Sequence, residues 1–293
     1  MKEIRRIADA LEQRLQQCME QSGLMYRLFS RVKTERSIRH KMEIKGDAYR
    51  AGKMLMQDII GFRIVLYFQD DVDIVALFLS RVGLVRKSVD EPDTFTFRPQ
   101  RLNLTLRLPE EEVAAFRAEL PAEYADYIGS TYEVQIRTIF SEGWHEVEHD
   151  LRYKCKEDWE GYESYSRILN GMLGTLETAE WTMRSLLADL ANRNFLMGNY
   201  RAMFRNKLHL RLKNDDFSPA VADYLRQHGE LAKGILDMDR MMFVFTLLNH
   251  SRPLLLTFDN LLFLINRLEL MDAGLMELES DEFREWLDGN KAQ

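Results

Sequence analysis

Two acidic residues far apart in the chain, Asp58 and Glu133, each sit against a strand pattern. Asp58 lies just before the bulky apolar run Gly61–Phe68. Glu133 lies inside Thr131-Tyr132-Glu133-Val134-Gln135-Ile136-Arg137-Thr138. There Val134 and Ile136 alternate with Glu133, Gln135 and Arg137, the period of a strand with one face on a core. The other face is a row of carboxylate, amide and guanidinium, which is either solvated or aligned on a ligand. Brought together at a sheet edge, Asp58 and Glu133 would hold a hard cation such as Mg²⁺ through oxygen ligands. Arg31, Lys33 and Lys41, with Arg63, would clasp a polyphosphate, because guanidinium groups match phosphate oxygens bidentately. Carboxylates, cation and basic residues together are the equipment of phosphoryl-type transfer. Taken singly, each has a plainer reading as an ordinary salt bridge.

The basic residues are concentrated. Residues 27–53 hold Arg27, Arg31, Lys33, Arg36, Arg39, Lys41, Lys45, Arg50 and Lys53 against Glu35, Glu43 and Asp47, in a chain of net charge −7. Such an island points to a local phosphate site, with a solvated helix face as the alternative. The overall charge argues against general attraction to nucleic acid. A second pattern, His145-Glu146-Val147-Glu148-His149, fits the H-E-x-x-H of zinc metalloproteases. Its surroundings are heavily charged (Glu142, Asp150, Arg152, Lys154, Lys156). Metal-bearing helices of that kind are mostly apolar, so the match reads as incidental.

The elements that must position these groups are legible from periodicity. Ile4, Ile7, Leu11, Leu15, Cys18, Met25 and Leu28 predict an amphipathic helix over 2–29, with Gly23 as a possible break. Thr34 is placed to cap a short helix that carries Lys33, Ser37 and Lys41 on one face. Gly61–Phe68, Leu84–Val89 and Leu102–Leu108 predict strands. Asp70 starts a helix that Gly83 ends, Pro109 another running towards Tyr127, and Ser141 one reaching about Lys156. Arg63, a charge inside an apolar strand, needs a partner. From Tyr162 the pattern is helical throughout: a long helix through Leu190, one from Ser218-Pro219 to Gly229, then Leu231–Asn249, Asn260–Met271 and Phe283–Leu287. The class is α/β (α+β), a mixed first part over 1–196 and a helical C-terminal part over 197–293. The basic stretch Tyr200–Lys213 reads as a solvated amphipathic helix, and the last part carries no catalytic constellation.

Hydrophobic content of 46% and charged content of 30% fit a globular protein with a real core. Cys18 and Cys155 have neither disulfide-framework nor metal spacing, which suits a reducing compartment. The apolar runs are too short to span a bilayer, and the N-terminus has no signal-peptide core. The expectation is a cytoplasmic protein without a membrane partner.

Three segments, Arg31-Val-Lys-Thr-Glu-Arg-Ser-Ile-Arg-His-Lys41, Asp58-Ile-Ile-Gly-Phe-Arg63 and Glu133-Val-Gln-Ile-Arg-Thr138, resemble the signature blocks of the RelA/SpoT alarmone synthetase family, in family order. Trp144–Lys154 is similar to that family's next helix, notably in its small, single-domain synthetases. The resemblance spans about residues 25–156. It implies a nucleotidyltransferase-related fold, a mixed sheet flanked by helices. It also implies transfer of the β,γ-pyrophosphate of ATP to the 3′-hydroxyl of a guanine nucleotide, making (p)ppGpp. By position, Arg31 and Arg63 would sandwich adenine. Lys33, Ser37 and Lys41 would hold the ATP phosphates, and Asp58 would bind Mg²⁺. Glu133 would be metal ligand or general base, with Gln135 and Arg137 beside it.

The resemblance fails before the E-V-Q-I-R-T strand. The family carries roughly N-G-Y-x-S-L-H there, and its tyrosine stacks on the acceptor guanine. This chain has Phe97-Arg-Pro-Gln-Arg-Leu-Asn-Leu-Thr-Leu106, preceded by the acidic Ser88–Asp93. Arg101, Asn103, Thr105 and Arg107 stand in place of that platform. Phe95 or Phe97 offers a ring, with a core role as the alternative. Three functions follow: a (p)ppGpp synthetase with a rebuilt acceptor pocket, a pyrophosphokinase for another acceptor such as an adenine nucleotide or a tRNA 3′ end, and an inactive nucleotide-binding regulator. A homo-oligomer through the helical C-terminal part rests on position alone.

Overall fold

A computed structural model of the chain describes residues 1–52, 54–89 and 102–289. These residues form two compact units, one of 1–17 with 26–177 and one of 18–25 with 178 onward. Arg101, Phe95, Phe97 and Lys53 lie outside the described residues.

The first unit is built on a five-stranded mixed sheet: β1 (Tyr26–Val32), β2 (Ile60–Leu66), β3 (Leu84–Val89), β4 (Leu102–Arg107) and β5 (Thr131–Thr138). The spatial order is β1-β2-β5-β4-β3. The central pair β2/β5 is parallel, and the other three pairs are antiparallel. The helices of the chain's first part are α1 (Lys2–Ser22), α2 (Glu35–Arg50), α3 (Gln69–Ser80), α4 (Glu110–Ala118), α5 (Ile139–Val147) and α6 (Glu163–Leu196).

Alternation decides the two faces of the sheet. Ile60, Phe62 and Ile64 of β2, Val134 and Ile136 of β5, and Leu104 and Leu106 of β4 are buried. Helix α3, with Val72, Ile74, Val75 and Leu79 buried, packs on these three strands. Each such side chain contributes about 1.5–3 kcal/mol on leaving water, so this face is the core. The opposite face carries Gly61, Arg63, Glu133, Gln135 and Arg137, all half-buried, and α5 covers part of it.

The structure corrects the expected helix over 2–29. Helix α1 stops at Ser22, Gly23 takes a left-handed conformation (φ 71°), and residues 26–32 are edge strand β1. Only glycine adopts that φ without cost. The strand was hidden because β1 is mostly exposed, so polar and apolar residues occur on both of its faces. The helix expected from Ser141 to about Lys156 is also shorter. Helix α5 ends at Val147, and a π-helical stretch over Glu148–Tyr153 and a 3₁₀ turn over Lys156–Trp159 follow.

The second unit is helical: α7 (Tyr200–Leu208), α8 (Pro219–Gln227), α9 (Gly229–Asp237), α10 (Arg240–Asn249), α11 (Phe258–Ile265), α12 (Ala273–Glu277) and α13 (Asp281–Asp288). The single helix expected over Leu231–Asn249 is two, because the Asp239 carboxylate caps the amides of Met241 and Met242 and starts α10 afresh. Gly229 opens α9 instead of merely closing α8. Phe204, Phe217 and Phe258 pack with ring centroids 4.9–5.4 Å apart at its centre. Among the described residues no helix is long and apolar enough to cross a membrane.

Candidate functional site

Asp58 is fixed by its neighbours' backbone. Met56 bridges to Ile128, the Lys33 amide donates to Ile59 O (2.8 Å), and the Thr131 hydroxyl donates to Gln57 O (3.2 Å). The segment before β2 is thus tied to the start of β5 and the end of β1. The Asp58 carboxylate accepts from Lys33 Nζ and from Lys41 Nζ, the latter at 2.8 Å. Lys41 reaches it from the second turn of α2. That helix is capped by Thr34, whose hydroxyl accepts from the Ser37 amide (3.2 Å) and lies 2.9 Å from Ser37 Oγ.

Burial works against ionisation of Asp58, but the hydrogen bonds from Lys33 and Lys41 outweigh it and hold the carboxyl below the usual carboxylate range. The two lysines respond in opposite directions. Burial is the largest influence on each and lowers both. For Lys33 it prevails over the Asp58 pairing, with the positive charges of Lys41 and Arg31 adding to it. For Lys41 the pairing with Asp58, together with the charge of Glu133, leaves the ammonium above its ordinary value. Lys41 therefore stands within the field of both acids.

Glu133 projects from β5 on the same face. It lies level with Gly61 of β2 and Thr105 of β4, and its carboxylate accepts from Gln135 Nε2 (2.9 Å). An ammonium paired with Asp58 and stabilised by the charge of Glu133 marks a place that favours positive charge, and the donors are hard oxygens. This arrangement fits Mg²⁺.

Arg63 finds the partners that an in-strand charge requires. Its Nη1 donates to Glu142 and Glu146 on α5, one helical turn apart, and its Nε donates to Gln135 Oε1 (3.3 Å). Burial opposes the cation, and the two carboxylates outweigh it and raise its pKa above the ordinary value. Glu142 also accepts from Arg137 Nη1 (2.9 Å), while Arg137 Nη2 donates to Gln135 Oε1 (3.3 Å). Gln135 is thus bonded to Glu133, Arg63 and Arg137, and the Arg137 side chain is only 9% exposed. Asn103 lies directly opposite Gln135 on β4, with its Oδ1 buried and without a hydrogen-bond partner among the described residues.

Two cavities open on this face. One, of about 530 Å³, is lined by Arg27, Phe29, Arg31, Gly61, Arg63, Gln135, Glu142 and Glu146, among others. The other, of about 720 Å³, is lined by Arg31, Lys33, Arg36, Ser37, Arg39, His40, Lys41 and Lys45, with Glu43 and Ile44. Arg31 lines both. The second cavity runs along α2 from its N-terminal end, where the helix dipole favours an anion. A ring-sized cavity with arginines beside a basic one can take a base and its phosphates.

The H-E-x-x-H residues do not converge. His145 is buried, edge-on to Trp144 at 5.6 Å. His149 is exposed on the π-helical stretch, 2.9 Å from the Asp150 carboxylate and stacked on Tyr153. Glu146, between them, holds Arg63. Among the described residues neither histidine belongs to a cluster of three potential metal ligands.

These placements can be set beside known proteins. Residues 30–158 match the region found in RelA / SpoT proteins. The chain carries a RelA/SpoT domain. Solved structures similar to it include a GTP pyrophosphokinase family protein from Streptococcus pneumoniae, at 21% identity, covering 62% of this chain and 89% of that one, TM-score 0.46. Small alarmone synthetase 1 from Bacillus subtilis is 21% identical, with 63% and 92% covered and a TM-score of 0.43. Small alarmone synthetase 2 from the same organism is 24% identical, with 61% and 90% covered and a TM-score of 0.43. None of the curated proteins compared with the chain matches it.

Among the residues that line the first cavity, the sequence reading assigned no site role to Phe29, just ahead of the matched RelA/SpoT residues, or to Glu142 and Glu146 inside them. The signal for the glutamates was their spacing of four on α5, which puts both on one helical face. The signal for Phe29 was absent once β1 was read as helix.

Proposed function

We propose that the RelA/SpoT domain is an Mg²⁺-dependent ATP pyrophosphokinase acting on a nucleotide 3′-hydroxyl, with a guanine nucleotide as the first-choice acceptor. The observation that carries this reading is the sharing of Arg31 between the two cavities, with Lys41 paired to Asp58 and in the field of Glu133. Arg31 and Arg63 face the adenine, and their guanidinium groups suit a π-ring. Lys33, Ser37, Lys41 and the amides opening α2 take the triphosphate. Asp58 and Glu133 would hold Mg²⁺, which supplies charge neutralisation on the phosphate oxygens.

Glu133 is placed to take the proton of the acceptor hydroxyl. The acceptor oxygen forms a bond to the β-phosphorus, the bond from that phosphorus to the α-phosphate oxygen breaks, and AMP leaves. As ATP enters, its phosphates replace Asp58 as partners of Lys33 and Lys41, which frees the Asp58 oxygens. Gln135 and Arg137 hold Glu133 and Arg63 in register. Asn103 stands on the acceptor side.

A second reading keeps the donor chemistry and changes the acceptor to an adenine nucleotide or a tRNA 3′ end. What favours it is that β4 presents Asn103, Thr105 and Arg107 at positions level with Gln135, Glu133 and Thr131, with no aromatic ring among them. Incubation with γ-labelled ATP and separate pools of GDP, GTP, ADP, AMP and tRNA decides between the two. Label on GDP or GTP supports the first reading, and label only on an adenine nucleotide or tRNA supports the second. Bound ATP with no label in any pool would leave an inactive binder.

A further inference from the structure

Phe29 is 51% exposed on an edge strand, inside the ring-sized cavity and without an evident role in the core. Large aromatic residues are usually buried, so an exposed ring in a concave site calls for an occupant. The register gives its surroundings. Phe29 lies opposite Arg63, and Arg31 lies opposite Gly61. Arg31 and Phe29 share one face of β1, as Gly61 and Arg63 share that face of β2.

Alternate residues of a strand are about 6.8 Å apart, roughly twice the contact distance of two non-bonded carbons. A slot of that width admits one planar ring in contact on both sides. Its opening depends on position 61, where a Cβ would meet no atom within 4 Å. The glycine thus leaves empty space where a side chain would stand. Arg31 bounds the slot on one side, with Phe29 and Arg63 on the other.

The structure assigns Phe29 as a stacking wall of a base slot, a specificity-determining residue that makes the cavity select a nucleoside polyphosphate over a bare polyphosphate chain. This assignment rests on the ATP reading above and adds to it the residue by which the base itself is recognised. An aromatic ring and two guanidinium groups around a flat space favour a π-system over an aliphatic group. Arg31 links the slot to the basic cavity, so the occupant carries its phosphates next door.

Calorimetric titration of the full chain with ATP and, separately, with inorganic tripolyphosphate tests the assignment. Phe29→Ala is expected to weaken ATP binding about tenfold, the usual scale of base–aromatic stacking, and Phe29→Trp to restore it. Tripolyphosphate affinity should be the same in all three proteins, because that ligand occupies only the basic cavity. Gly61→Val should exclude ATP while still admitting tripolyphosphate. Unchanged ATP affinity in Phe29→Ala overturns the assignment, as does an equal loss for both ligands, which would mean a structural role. Wild-type protein that fails to bind ATP overturns it together with the ATP reading. Loss of ATP affinity in Phe29→Ala, in a wild type that binds ATP but never releases AMP, keeps Phe29 as a base wall and removes only the transfer reaction.

Discussion

Asp58→Asn is expected to lower AMP release from ATP by about 10³-fold or more, the scale of losing preorganised charge stabilisation of a transferring phosphoryl, or roughly 4 kcal/mol of barrier. The substitution preserves shape and still offers an oxygen to Lys33 or Lys41, so far-ultraviolet circular dichroism should match the wild type. It removes the charge that outweighs burial at Lys41 and opposes it at Lys33. The same variant carries a pH signature. Because the folded-state pKa of Asp58 lies below its unfolded value, its contribution to stability is fully present above the ordinary carboxylate range and is lost as pH falls through the depressed value. The stability advantage of wild type over Asp58→Asn should therefore be constant from about pH 5 to 8 and shrink below about pH 4. Undiminished AMP release in Asp58→Asn would remove Asp58 from the reaction.

Glu133→Gln should cost about 10²–10⁴-fold in kcat, the range of a lost general base, with KM for ATP within about twofold. The split is the informative part, because on the proposed reading Glu133 acts on the acceptor hydroxyl while Lys33, Ser37 and Lys41 hold the triphosphate. A fall in kcat at constant KM reports an interaction made only in the transition state. Gln135 donates to Glu133 Oε1 at 2.9 Å, a bond that the glutamine variant keeps through its amide oxygen. Loss of ATP affinity with kcat unchanged would instead make Glu133 a substrate-binding group.

Part of the proposed donor half was legible in the sequence where its residues sit in regular elements, while Lys33 and Asp58 lie just outside α2 and β2. Alternation along Thr131–Thr138 placed Glu133, Gln135 and Arg137 on one face, and a spacing of four placed Ser37 and Lys41 on one face of α2, but Lys33 precedes the Thr34 cap and lies outside that helix, joined to Lys41 through their common partner Asp58. Strand β1 was not legible. An edge strand pairs on one side only and buries little, so its pattern carries no clean period, and Leu28 fell by chance on the helical spacing of α1. Phe29 was lost with it. The two glutamates that hold Arg63 were seen as charge on a helix, and Glu146 was absorbed into a five-residue metal motif. Pairings between Arg63 and a helix about 80 residues later are tertiary facts, beyond what local periodicity can encode. The acceptor side stays with Asn103, since Arg101, Phe95 and Phe97 lie outside the described residues.

The most direct measurement is the fate of ATP carrying label on its γ-phosphate and a second label on its α-phosphate, incubated with Mg²⁺ and the acceptor pools. The account predicts that the α-label appears in AMP in the same molar amount as the γ-label appears on an acceptor nucleotide, with both reduced together in Asp58→Asn. Appearance of the α-label in ADP, or of the γ-label only as free phosphate, would contradict it.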